Sequence, residues 1–157
     1  MFYVEDTESL LVPRVTVEGN TLVSKGFPGG TVAVDDGLSY VDGEAFILYD
    51  VACFEVHLFA EADEGRRVLR LYWFQFEGYL PSAVPRGYDY SGDPCRTVVG
   101  GHEFYDSVRY FNVADSRAGW PDDSDTMHVL RLLEREGYRL EGDVMSFRLV
   151  RLDEGNK

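Results

Sequence analysis

The chain is poor in cysteine, histidine and lysine. Cys53 and Cys95, two thiols in 157 residues, make no disulfide framework. Stability must therefore come from apolar burial, and a chain this long hides roughly 70% of its unfolded surface on folding. The three histidines, at positions 57, 102 and 128, share none of the short spacings of a zinc site. The glycine cluster at 26–30 is not followed by Lys-Ser/Thr, so it reads as a turn and not as a phosphate cradle. There is no dinucleotide fingerprint and no nucleophile elbow. Neither a metal nor a cofactor is expected. No apolar run is long enough to span a bilayer. Met1-Phe2-Tyr3-Val4 leads straight into Glu5-Asp6 without a basic segment, and a cytoplasmic setting with reduced thiols is the expectation.

Positive charge is also scarce. Asp and Glu number 28 against 15 Lys and Arg, for a net charge of −13. Residues 1–80 hold 5 basic and 14 acidic side chains, and residues 81–157 hold 10 and 14. Such a field repels phosphate backbones and anionic membrane surfaces, which argues against nucleic acid and membrane partners. It would draw in a basic protein. Solubility alone also accounts for it.

Aromatic residues are plentiful, with Tyr and Phe at ten each. They concentrate in Ala45–Tyr79, which reads as two long β-strands joined at Asp63-Glu64-Gly65, with Gly65 supplying a positive φ. That turn sets Phe54 opposite Phe74, Val56 opposite Tyr72, Glu55 opposite Trp73 and His57 opposite Leu71. Cys53, Glu55 and His57 then share a face with Trp73 and Gln75. Both faces carry bulky apolar groups, so both are expected to be covered.

Around this ribbon, Phe2–Val4 reads as an edge strand, and Gly19-Asn20 as a hairpin turn setting Val17 against Leu22. Thr31–Asp35 reads as a strand. Asp36-Gly37 and Asp42-Gly43 punctuate a loop. Residues 81–101, with Pro81, Pro85, Pro94, Tyr88 and Tyr90, read as a lid. His102–Ala114 reads as a strand. A helix is predicted over about 123–136, capped by Asp122 and stopped by Gly137, with Val129, Leu130 and Leu133 as its docking stripe. Tyr138–Leu152 returns as extended chain, with Met145, Phe147 and Leu149 on one face. The pattern implies one mainly β domain over 1–157. It would be an antiparallel β-barrel or a strongly curved sheet or sandwich of roughly seven to nine strands, with one helix in the C-terminal half.

Three functions fit this reading. The leading one is a non-catalytic binding domain that holds a small amphipathic or anionic ligand in an aromatic-lined cavity. Its lining would come from Glu55, His57, Arg70, Tyr72, Trp73, Gln75, Tyr88, Tyr90 and Arg109. The second is an acidic interaction protein, an inhibitor or immunity-type partner of a basic protein. The third is a hydrolase-like enzyme in which Glu55 orients His57 as a general base. Each has a structural counterpart. A buried Glu–His pair is ordinarily a satisfied hydrogen-bond network. Arginines in apolar strands ordinarily pair with carboxylates. Most aromatic rings in a β protein fill its core.

Overall fold

The computed structural model describes residues 11–26, 29–84, 89–92 and 95–152. The edge strand expected at Phe2–Val4 and the lid residue Tyr88 lie outside this set. The described chain is mainly β, as the patterning predicts. Nine strands form three separate three-stranded antiparallel sheets, none closed into a barrel. They are β1 (Val15–Glu18), β2 (Thr21–Ser24) and β3 (Gly30–Ala33); β4 (Ser39–Leu48), β5 (Ala52–Ala62) and β6 (Val68–Tyr79); and β7 (Arg96–Val99), β8 (His102–Asn112) and β9 (Asp143–Val150). Two helices, α1 (Val113–Arg117) and α2 (Asp125–Arg135), complete the described elements. The chain divides into two compact units. The first lies within 1–84 and 120–140, and the second within 85–119 and 141–157.

In the first unit, β1 and β2 meet as expected, with Val17 opposite Leu22 and Gly19 at φ 61° in the turn. The central sheet departs from the sequence reading in two ways. First, the long strand expected over residues 45–62 is two strands. Tyr49 (φ 55°) and Asp50 (φ 54°) turn the chain between β4 and β5. Second, the β5–β6 turn is longer than Asp63-Glu64-Gly65. Arg66, and not Gly65, adopts the positive φ, at 59°. The Asp63 carbonyl accepts the Arg66 N–H at 2.9 Å, and the Arg67 carbonyl accepts the Asp63 N–H at 3.0 Å. A bulge between Glu61 and Ala62 shifts the register further. His57 therefore stands opposite Phe74, Glu55 opposite Phe76 and Phe54 opposite Glu77. The offset from the expected register is odd, so every β6 side chain changes face.

Both faces of the central sheet are covered, as the bulky apolar groups on each implied. On one side lie Phe46, Phe54, Val56, Leu58 and Val68, packed against Val129, Leu132 and Leu133 of α2. Fully burying each such aliphatic side chain stabilises by roughly 1.5–3 kcal/mol. On the other side Phe59, with Tyr40, Phe74 and Phe76 beside it, packs against Val15, Leu22, Val34 and Leu38 from the β1–β3 sheet and its exit loop. The α2 N-cap is Ser124, whose hydroxyl accepts the Met127 N–H at 3.3 Å, and not Asp122. Gly137 follows the helix at φ 79°.

Among the described residues the second unit is one sheet with a single short helix. Its β7 falls inside the stretch expected to be a lid. Gly100 (φ 58°) and Gly101 (φ 81°) turn β7 into β8. Asn112 ends β8 and caps α1, its side-chain oxygen accepting the Ala114 and Asp115 N–H groups.

Candidate functional site

Alternation along β5 places Cys53, Glu55, His57 and Phe59 on the face that looks toward the β1–β3 sheet. Glu55 and His57 are 7% and 3% exposed. The Glu55 carboxylate accepts three hydrogen bonds. Its Oε2 takes the Arg14 N–H, and Oε1 takes the Val15 N–H and His57 Nε2, all at 2.8 Å. The far ring nitrogen, Nδ1 of His57, lies 3.1 Å from the Tyr40 hydroxyl. A neutral imidazole satisfies every partner: Nε2–H donates to the carboxylate, and Nδ1 accepts the phenol proton.

The electrostatics follow from burial and these bonds. Burial pushes the Glu55 carboxyl up, but the bonds from His57, Arg14 and Val15 outweigh it and hold it below the ordinary value. Tyr40 is pushed up to about 12, first by burial and then by the Asp42 and Glu55 charges. Burial also raises the Cys53 thiol; Arg14 offsets this in part and Glu55 adds to it. That is the wrong direction for a thiolate nucleophile.

Gly43, opposite His57 on β4, makes the network possible. A Cβ there would lie 2.6 Å from His57 Nδ1 and 2.7 Å from the Tyr40 hydroxyl. Tyr40 and Gly43 are the members that sequence reasoning missed. A glycine inside an apolar-flanked run can signal close approach within a strand as well as a loop. The sequence pattern makes Asp42-Gly43 loop punctuation, but both residues lie in β4, just past a bulge.

The remaining candidates do not gather around this pair. Trp73 packs with the α2-side core, and the Gln75 amide donates toward Asp125 of α2 at 3.3 Å, both on the opposite side of the sheet. Tyr72 does share the Glu55 face. It is partly exposed and meets Phe74 edge-on at 6.3 Å. Arg70 pairs with Glu61 at 3.1 Å and with Asp35 at 3.7 Å. Tyr90 and Arg109 belong to the second unit. Tyr90 tilts against Tyr105 at 5.4 Å, and Arg109 is exposed on β8. A recess of about 260 Å³ in the first unit is lined by Ser39, Glu61, Asp63, Arg66 and Tyr138, away from Glu55 and His57. Among the described residues no three His, Cys, Asp or Glu side chains come together as metal ligands. No described helix is long and apolar enough to cross a membrane.

No protein-family model matches the chain, and searches of curated proteins and of solved structures find no match to it.

The second unit presents a different kind of surface. Its register puts Val99, Phe104, Val108, Tyr110, Met145, Phe147 and Leu149 on one face of the sheet. Tyr110 is 77% exposed, Met145 65%, Phe147 58% and Val108 52%. Val108 stands opposite Phe147, and Tyr110 opposite Met145, so these four form one continuous block. Val113 is the single hydrophobic residue of this unit among the described buried core. At the end of the block a groove of about 560 Å³ runs between Tyr110, Asn112, Asp143 and Met145.

Proposed function

We propose that this protein is a non-catalytic protein-interaction module that docks its partner on the β7–β8–β9 face. One observation carries the reading. Tyr110, Met145, Phe147 and Val108 form a contiguous apolar block on the open side of a sheet. A sheet that is apolar on one face needs a second layer, and exposed apolar blocks of this kind mark interaction surfaces. The Tyr40–His57–Glu55 chain is read as architecture. It ties the start of β1 to the central sheet, and both ring nitrogens are engaged in a site closed to substrate. The small-ligand cavity has less support, since its expected lining divides between opposite faces and between the two units.

The test replaces Tyr110, Met145 and Phe147 with serine, singly and together, with far-UV circular dichroism in urea at high dilution as the readout. Docking residues leave the fold nearly as stable, with about 1 kcal/mol or less per site. A loss of about 3–5 kcal/mol for Phe147→Ser would mean the ring is core, and would overturn the reading.

A second reading has its own observation. The first unit carries 8 basic and 19 acidic side chains, the second only 7 and 9. A basic protein would be steered to the first unit. Its association would weaken steeply between low and physiological salt, and a salt-independent affinity would count against it.

A further inference from the structure

We propose that the occupant of the β7–β8–β9 face is a second copy of this chain, stacked face to face about a twofold axis. This rests on the interaction reading above and names the partner. Three features favour a second copy over a partner of other chemistry.

The first is charge on the face itself. The acidic and basic side chains within its rows are few and mixed in sign: His102 and Asp143 stand at strand ends, and Asp106 between them already accepts the Thr97 hydroxyl at 2.5 Å. Neither a row of cations for an acidic partner nor a row of acids for a basic one is present there. The complement of such a surface is another like it, and a twofold axis supplies that automatically.

The second is charge on the whole molecule. Two copies of a chain at −13 repel each other. The repulsion is smallest where the acid excess is smallest. With 7 basic and 9 acidic groups, the second unit is close to neutral, whereas the first carries most of the excess.

The third is area. From their exposures, Val99, Val108, Tyr110, Met145, Phe147 and Leu149 together present on the order of 600 Å² per copy. Two copies would bury roughly 1,200 Å², the lower bound for a specific interface. Stacking two such sheets gives a six-stranded sandwich with its layers about 10 Å apart. Pairing of edge strands β9 and β9 would leave the same rings in water, so stacking is the arrangement that covers them.

The test is sedimentation velocity with light scattering from about 1 to 100 µM, a range that brackets dissociation constants of interfaces at this lower size bound. It is run on the full chain and on Val108→Asp, Phe147→Asp and Tyr110→Arg, with far-UV circular dichroism as the folding control. Tyr110→Arg keeps the test decisive if an aspartate disrupts the sheet, because the Tyr110 ring is largely exposed. The expected result is a dimer whose dissociation constant rises roughly tenfold or more in each folded variant. A dimer indifferent to Tyr110→Arg and to a folded aspartate variant overturns the proposal. So does a monomer throughout the range, and hydrogen exchange then separates two cases. Fast exchange across β8 and β9 in the monomer removes self-association and leaves a docking face for another partner. Slow exchange there, with the rings covered within one chain, removes the interaction reading as well.

Discussion

The Glu55 carboxylate offers the sharpest test of how the first unit is held together. Three donors converge on its two oxygens: the N–H groups of Arg14 and Val15, and Nε2 of His57. Glu55→Gln keeps the volume but replaces one acceptor oxygen with a donor. At least one donor then faces an NH₂. His57 can relieve part of this by moving its proton to Nδ1, at the cost of turning the Tyr40 hydroxyl into an acceptor. A backbone N–H left unmet in this 7%-exposed site costs about 1–3 kcal/mol, and the surviving bonds lose their charge assistance. The expected loss is about 2–4 kcal/mol. Both tryptophans, Trp73 and Trp120, lie in the first unit, so their emission reports its unfolding. With a slope of roughly 1–3 kcal/mol per molar urea, the midpoint should fall by about 1–2 M.

The pH dependence fixes the sign. The folded carboxyl sits below its ordinary value of about 4.3. The unfolded chain therefore takes up the proton first as pH falls. The stabilisation is present above about pH 4.3 and disappears as pH drops through the folded value. The gap between wild type and Glu55→Gln should be level from about pH 5 to 8 and should narrow below about pH 4. A midpoint shift under about 0.3 M, or a gap that persists undiminished at about pH 3, would refute the ionised carboxylate as the anchor of β1.

Other consequences follow from neighbouring residues. Gly43→Ala places a methyl 2.6 Å from His57 Nδ1 and should cost about 1–3 kcal/mol in urea unfolding, although alanine suits strand backbone no worse than glycine. Ultraviolet titration of the phenols should show one tyrosine ionising near pH 12, and this should vanish in Tyr40→Phe. Because that pKa is raised on folding, stability is full below about pH 10 and falls as pH climbs toward 12, a decline that Tyr40→Phe should flatten. Leu133→Ala, in the fully buried seam between α2 and the central sheet, should cost about 2–5 kcal/mol by the same tryptophan readout.

Much of the fold was legible in local pattern. The β1–β2 turn, the body of α2 and the shared face of Met145, Phe147 and Leu149 all rest on spacings of a few residues. The β5–β6 register was not, because its turn is fixed from far away. The Arg66 guanidinium donates to the Glu136 carbonyl at 2.7 Å and to the Gly137 carbonyl at 3.2 Å, and lies 4.1 Å over the Tyr138 ring. Those carbonyls end α2, where a cation is favoured. A left-handed φ at a non-glycine residue costs about 1–2 kcal/mol, an amount that several such contacts can offset. No window around Asp63-Glu64-Gly65 contains that information. One mislocated turn then exchanged the two faces of β6, and with them the neighbours of Glu55 and His57.

The candidate site divides in the same way. That Glu55 and His57 point together follows from their spacing of two. That they are sealed depends on Gly43 giving up its side chain and on β1 arriving to donate two N–H groups. The apolar face of the second unit shows the reverse case. The alternation in β8 and β9 was visible, but alternation says only that two faces differ and not which one stays wet. In the first unit the central sheet is apolar on both faces and is closed on one side by α2 and on the other by the β1–β3 sheet. In the second, Val113 of the short α1 is buried while Tyr110, Met145 and Phe147 are exposed. Rows of apolar side chains run through both sheets. What differs among the described residues is the number of layers, and a layer missing there is the reason to look for it on another molecule.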